Sequence, residues 1–172
     1  NSCAIKGLEL NSNQGDKQII DIIKSMGGTI EINNGEIKVS KSSLKAIELN
    51  AENIPDLVPI VSILMASASG ESKIINVDRL KIKETDRLKA VMETLDRMGI
   101  ENRYEDNALY IKGGEIKAFN GISYNDHRMV MMQAIAASIA DGICTIDGVE
   151  AVDKSYPAFF DDYKELGGKI NV

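Results

Sequence analysis

The sequence predicts a mixed α/β (α+β) domain built from repeated units, each of which runs strand–helix–strand–helix–strand–strand. Long apolar stretches end at Gly70 and Gly142, which lie 72 residues apart. Helical patterns end at Gly27 and Gly99, and these two glycines are also 72 residues apart. A glycine after one helix is common, because it adopts the left-handed conformation that closes helices. Two independent features that share one period therefore indicate structural repetition.

The first copy predicts one helix and a hairpin. A helical pattern ends at Gly27, and apolar runs follow at 29–32 and 36–39. The residues between these runs, Asn33-Asn34-Gly35, are typical of a tight turn between antiparallel strands.

We expect two full copies of the unit and a truncated third, and the second copy shows most of the signals. Residues 56–69 are apolar on almost all sides, which predicts a helix buried on most faces. A strand follows over 73–77. Apolar residues recur every three or four positions over 83–98, which predicts an amphipathic helix. Paired strands are expected over 100–104 and 108–111.

The third copy repeats the same signals. Residues 128–140 predict a second buried helix, with Met129, Met131 and Met132 expected in the core. A strand follows over 143–149. A last helix is expected to open at Lys154-Ser155, with Pro157 in its first turn, and to close at Gly167.

Composition excludes several classes of protein. The chain has 172 residues, of which 44% are hydrophobic and 27% charged, as in globular rather than disordered proteins. A net charge of -6 argues against a general nucleic-acid binder. Two cysteines, Cys3 and Cys144, and one histidine, His127, do not predict a metal site. No apolar run predicts a membrane span, and no signal peptide is evident. We therefore expect a soluble, cytoplasmic protein whose sequence starts partway along a longer chain.

Charged residues mark the predicted helix starts. Four of them are cations, which oppose the positive end of a helix dipole unless an anion joins them. Carboxylates capable of acid–base chemistry are interleaved with these cations. The pattern predicts a site for phosphorylated, acidic small molecules, whereas each residue taken singly is more typical of solvated surface. The residues concerned are Lys83, Arg87, Arg128 and Lys154, with Asp56, Glu84 and Asp126.

Three motifs among these residues resemble the signatures of the 5-enolpyruvylshikimate-3-phosphate synthase family: KIKETDRL at 81–88, YNDHRM at 124–129 and KSYP at 154–157. The QGD turn at 14–16 and IPD at 54–56 are similar to that family as well. The resemblance covers essentially the whole chain. The sister transferase that acts on a UDP-amino sugar shares the fold but has different signatures.

The resemblance implies the architecture. Members of the family have two domains, each with three βαβαββ units related by pseudo-threefold symmetry, with helices inside and sheets outside. Residues 1–172 are then a single domain, the C-terminal one, whose first unit lacks its opening strand and helix. The protein's own N-terminal domain, which completes both substrate sites, is the expected partner, and the whole enzyme is expected to be a monomer.

The resemblance also implies the reaction. The enolpyruvyl group of phosphoenolpyruvate is transferred to the 5-hydroxyl of shikimate 3-phosphate, with release of phosphate, in aromatic amino-acid biosynthesis. No metal or organic cofactor is implied, and no nucleic acid or membrane partner is expected. Because the chain carries about half of the active site, it is expected to be inactive alone. A non-catalytic anion-binding or assembly module with the same repeat fold is the alternative.

Catalytic roles are implied for three residues. Asp56 meets the shikimate hydroxyls and is a candidate base for the 5-hydroxyl. Glu84 moves a proton on and off the enolpyruvyl methylene group. Lys154 holds the phosphate and donates a proton to it as it leaves.

Substrate-binding roles are implied for the same Asp56 and Lys154 and for five further residues. Lys83 contacts the shikimate moiety, and Arg87 and Arg128 hold the phosphoenolpyruvate carboxylate and phosphate. Asp126 and His127 shape the site. The sequence departs from the family at Arg79, where a polar shikimate contact, often Asn, is usual.

Overall fold

The structure is a computed structural model that describes residues 2–171. The predicted domain, 1–172, extends one residue beyond the described part at each end. Nine strands are described: β1 (Ser2–Lys6), β2 (Thr29–Asn33), β3 (Glu36–Ser40), β4 (Glu48–Asn50), β5 (Glu71–Ile75), β6 (Asn102–Glu105), β7 (Ala108–Lys112), β8 (Asn120–Ile122) and β9 (Thr145–Asp147).

Five α-helices and four 3₁₀ segments connect these strands among the described residues. The α-helices are α1 (Ile19–Ser25), α2 (Val58–Ala66), α3 (Arg87–Arg97), α4 (His127–Ala137) and α5 (Phe159–Glu165). The 3₁₀ segments are Gly15–Gln18, Pro55–Leu57, Asp78–Ile82 and Val149–Lys154. No helix within 2–171 has the length and apolarity needed to cross a membrane.

The strands form three sheets. The first has the order β1-β3-β2 and is antiparallel throughout. The second has the order β4-β5-β7-β6, in which only the β4–β5 pair is parallel. The third is the parallel pair β8-β9. Between 48 and 112 the elements run strand–helix–strand–helix–strand–strand, which confirms the unit predicted from the sequence.

The 72-residue period is present in the strand register. Glu48 pairs with Lys73 in the β4–β5 ladder, and Asn120 pairs with Thr145 in the β8–β9 ladder. Each residue of the second pair lies 72 positions after its counterpart in the first. The copies are therefore equivalent in backbone pairing as well as in apolar pattern.

Helices α2 and α4 lie at the centre of the molecule and contact each other. Val58 and Met65 of α2 and Met129 of α4 are fully buried, and Met132 is 1% exposed. All five residues of β1 are exposed, which places that strand on the outside. The predicted mixed helix and sheet fold is confirmed, and the predicted burial holds for α2 and α4, whereas α5 has no buried residue.

Three helix starts differ from the sequence prediction by two residues or more. Helix α2 begins at Val58 instead of residue 56, which lies in the 3₁₀ turn Pro55–Leu57. Helix α3 begins at Arg87 instead of Lys83, because Asp86 caps it by accepting a hydrogen bond from the backbone N–H of Lys89 at 3.0 Å. The last helix begins at Phe159, and Lys154 instead ends the preceding 3₁₀ segment. Pro157 accounts for this delay, since a proline disfavours helical conformation in the residue before it.

Candidate active site

Three segments that precede central helices place charged side chains at one point. Asp56 lies in the 3₁₀ turn ahead of α2, Arg87 is the first residue of α3, and Asp126 is the N-cap of α4. Because the three helix starts face one another, residues separated by 31 and 39 positions in the chain form direct ion pairs.

Arg87 is the centre of this arrangement. Its side chain is 0% exposed, yet every nitrogen of its guanidinium group meets a carboxylate. Nε donates to Asp126 Oδ2 at 2.9 Å, Nη1 donates to Asp56 Oδ1 at 2.7 Å, and Nη2 pairs with Glu84. A buried guanidinium needs such partners, because an unpaired buried charge is strongly destabilising.

Asp126 has two functions in the structure. Its Oδ2 accepts from Arg87, and its Oδ1 accepts from the backbone N–H of Arg128 at 2.9 Å, which caps α4. The side chain is 0% exposed. Asp126 therefore fixes the start of α4 relative to Arg87.

Asp56 is surrounded by cations. Its Oδ1 accepts from Lys83 Nζ at 3.0 Å as well as from Arg87. Burial alone raises the pKa of the Asp56 carboxyl, but the Lys83 hydrogen bond, the Arg128 charge and the Arg87 hydrogen bond outweigh it and hold the pKa below its ordinary value of 3.8. A carboxylate stabilised in this way is a weak base.

Arg128 lies beside this network and is less fully engaged. Its Nη1 donates to the backbone carbonyl of Asp56 at 3.0 Å, while its Nη2 lies 3.6 Å from Asp16 Oδ2 and 4.0 Å from Asp56 Oδ2. The side chain is 28% exposed. Its guanidinium group can therefore meet a ligand from solvent. We call the group of residues joined by these contacts the charged cluster: Asp56, Lys83, Glu84, Arg87, Asp126 and Arg128.

Lys154 is held next to the cluster by Asn125. Its Nζ donates to both the backbone carbonyl and Oδ1 of Asn125, each at 2.6 Å. Asn125 and Tyr124 both have left-handed backbone, with φ of 55° and 52°. Such values are uncommon for residues other than glycine, and for a bulky residue such as Tyr124 they indicate a constrained segment.

His127 is the first residue of α4 and is half-buried. Its Nδ1 is buried and has no hydrogen-bond partner among the described residues. Arg79 points elsewhere: it is exposed, and its Nη1 donates to the backbone carbonyl of Glu52 at 2.8 Å.

The structure thus brings six of the eight predicted site residues into one ion-paired cluster. His127 adjoins it in the chain, and Lys154 approaches it through Asn125. The reasoning from cationic helix starts is correct for Arg87 and Arg128. It is wrong for Lys83 and Lys154, which lie outside the α-helices.

Sequence reasoning assigned no role to two residues that contact this site. Asp16 pairs with Arg128, and Asn125 binds Lys154. The motifs at 14–16 and 124–129 contained both residues and were the available signal. Neither contact could be derived from the motif alone, because each joins distant parts of the chain.

Comparison with known proteins agrees with the motifs. A family model described as EPSP synthase (3-phosphoshikimate 1-carboxyvinyltransferase) matches residues 1–163. The 3-phosphoshikimate 1-carboxyvinyltransferase of Clostridium acetobutylicum is 44% identical over 167 residues, which cover 96% of this chain and 39% of the relative. The protein of the same name from Methanococcoides burtonii is 45% identical over 161 residues, covering 92% and 38% respectively.

Solved structures show the same relationship. The EPSP synthase of Acinetobacter baumannii matches with a TM-score of 0.86 and 25% identity, over 99% of this chain and 42% of that chain. The enolpyruvyl transferase NikO of Streptomyces tendae shares the fold, with a TM-score of 0.73 and 20% identity over 89% and 35% of the two chains. The chain spans about two fifths of the length of the curated relatives it matches. It belongs to the EPSP synthase family.

Proposed function

We propose that this chain is the C-terminal domain, residues 1–172, of a 3-phosphoshikimate 1-carboxyvinyltransferase and carries about half of its active site. The observation that supports this most directly is the convergence of Arg87 and Arg128, from two helix starts, on Asp56. Forked guanidinium donors match planar carboxylates and phosphates. Both proposed substrates, phosphoenolpyruvate and shikimate 3-phosphate, carry these groups.

In the proposed reaction, the oxygen of the shikimate 5-hydroxyl bonds to C2 of phosphoenolpyruvate while a proton adds to the methylene carbon. The bond from C2 to the phosphate oxygen then breaks, and the new methyl group loses a proton to restore the double bond. The proton from the hydroxyl goes to a base, and Lys154 supplies one to the departing phosphate.

Asp56 and Glu84 differ in their electrostatic surroundings, and we assign them different roles. The lowered pKa of Asp56, which results from its hydrogen bonds and the nearby cations in spite of burial, favours a role in binding hydroxyl groups. Within residues 2–171, Glu84 has one ion-pair partner, Arg87, and its side chain is 46% exposed, so it can turn towards a substrate. We assign the proton transfers at the methylene carbon to Glu84.

The remaining assignments concern the rest of the enzyme. The relatives have further polypeptide that this chain does not match, and we propose that an N-terminal domain supplies the other half of both substrate sites. The first repeat unit is then the shortened one. The complete enzyme is proposed to act as a cytoplasmic monomer in aromatic amino-acid biosynthesis.

A chimera tests this proposal. The matched segment of the Clostridium acetobutylicum relative is replaced by this chain, and phosphate release is measured with both substrates. The chimera is expected to turn over at about 1–10³ s⁻¹, the usual range of enzymes, whereas the 172-residue chain alone gives only background. A folded chimera without turnover overturns the proposal and favours a non-catalytic module. Turnover by the chain alone would overturn the proposal that it carries only about half of the active site.

A further inference from the structure

All three nitrogens of the Arg87 guanidinium group already have a carboxylate partner. Asp126, Asp56 and Glu84 occupy its Nε, Nη1 and Nη2 atoms, so a phosphate or carboxylate that approaches Arg87 finds its position taken. We infer that Glu84 is an internal competitor for anions: its carboxylate fills the anion position at Arg87 until a bound anion displaces it. This inference rests on the proposed function and adds how the site is occupied before substrate arrives.

Of the three carboxylates, Glu84 is the one that can leave. Asp126 is 0% exposed and also caps α4, so its departure would leave a buried charge and an open helix end. Asp56 is held by Lys83 as well as by Arg87. Among the residues that the structure describes, Glu84 pairs with Arg87 alone, and it lies in the bend between a 3₁₀ segment and α3. Its 46% exposed side chain can turn into water, and Arg87 then keeps Asp56 and Asp126 as carboxylate partners.

The charge balance requires such a departure. Within the described residues, the charged cluster joins three carboxylates to three cations. Asp16 adds a fourth carboxylate at 3.6 Å from Arg128, and Lys154, bound to Asn125, adds a fourth cation. A cluster without net positive charge has no overall attraction for an anion. When Glu84 swings away, Nη2 of Arg87 loses its carboxylate partner and can donate to an anion, and the local charge becomes more positive.

The inference predicts an unusual effect of removing a carboxylate. Glu84→Gln leaves a neutral amide, which is a weaker partner for Arg87 than a carboxylate. Inorganic phosphate should therefore bind about three- to tenfold more tightly to Glu84→Gln than to the unaltered chain. Glu101→Gln is the matched control: it removes one negative charge from an exposed pair with Lys112, the last residue of β7.

Phosphate affinity is measured by calorimetric titration of the chain and its variants at constant ionic strength, with circular dichroism to verify folding. The titration is repeated in the chimera, so that a variant that unfolds alone is still tested. Adding Arg128→Ala to Glu84→Gln should abolish the gain, because the phosphate then loses its second guanidinium group.

Three results would overturn the inference: equal affinity in Glu84→Gln and Glu101→Gln, no measurable binding to Glu84→Gln, or a gain that survives Arg128→Ala. None of them bears on the proposed function, which the turnover of the chimera decides separately. If the chimera is inactive but its Glu84→Gln variant binds phosphate more tightly, the inference that Glu84 competes with anions stands and the proposed enzyme function does not.

Discussion

Arg128 donates a hydrogen bond from Nη1 to the backbone carbonyl of Asp56 at 3.0 Å, and the two residues lie 72 positions apart. They are therefore equivalent positions in successive repeats, each at the start of a central helix. One position carries a carboxylate and the other a guanidinium group. The repeat thus brings the same point of two units together, and different side chains there make the two halves of one polar site.

Arg87 is expected to be essential for stability. Arg87→Met leaves Asp126 buried without its cation, which costs about 3–5 kcal/mol in the free energy of unfolding. Urea denaturation measures the loss. Asp126→Asn added to Arg87→Met should recover part of it, because the amide keeps the helix cap and carries no charge.

Arg103→Met is the control for that experiment. Arg103 pairs with Glu71 on the exposed face of the second sheet, and removal of this pair should change stability far less. Similar losses for Arg87→Met and Arg103→Met would show that the buried cluster is not what stabilises the helix starts.

Removal of the two helix caps should lower the free energy of unfolding by different amounts. Asp86→Ala removes only the cap of α3, so it should lower the free energy of unfolding by about 1 kcal/mol. Asp126→Ala removes the cap of α4 and also a partner of buried Arg87, so its cost should be clearly larger. Chemical denaturation of both variants gives the comparison. Equal costs would contradict the second function of Asp126.

Asp56 should make stability depend on pH. Its pKa is held below the ordinary value of 3.8, because hydrogen bonds and nearby cations outweigh the effect of burial. The resulting stabilisation is complete above that value and is lost as the pH falls through the lower folded-state pKa. The stability difference between the unaltered chain and Asp56→Asn should therefore shrink between pH 7 and pH values under 3.8. Urea denaturation across this range measures it, and a constant difference would refute the assignment.

Because Asn125 has a left-handed backbone conformation, we expect its substitution by glycine to be less destabilising than its substitution by alanine. At a φ of 55°, Asn125→Ala incurs about 1 kcal/mol of strain that Asn125→Gly does not. Both variants lose the Oδ1 that holds Lys154. Thermal unfolding should show Asn125→Gly to be the more stable, although glycine destabilises most other backbone positions. The opposite order would mean that the segment relaxes out of this conformation.

Much of the fold could be predicted from the sequence, because apolar spacing and closing glycines report the buried faces directly. The start of α3 could not, since the helical apolar pattern continues back to Lys83 while the Asp86 cap sets the true boundary. Strands β4 and β8 have three residues each, which is too short for a recognisable alternation.

The candidate site was predictable as a set of residues but not as a geometry. The motifs named the members of the charged cluster, but no spacing indicated that Arg87 would be completely buried. That burial depends on Asp56 and Asp126, which are 31 and 39 positions away in the chain. The pairing of all three Arg87 guanidinium nitrogens with carboxylates therefore depends on the tertiary structure.

We propose Glu84 both as the acid–base group and as the carboxylate that yields its place to substrate. Glu84→Gln in the chimera tests this most directly, with solvent deuterium exchange into the phosphoenolpyruvate methylene group measured beside turnover. We expect kcat to fall by about 10²–10⁴, with a parallel loss of exchange and no rise in KM. A raised KM with kcat and exchange intact would contradict the account and make Asp56 the leading acid–base candidate.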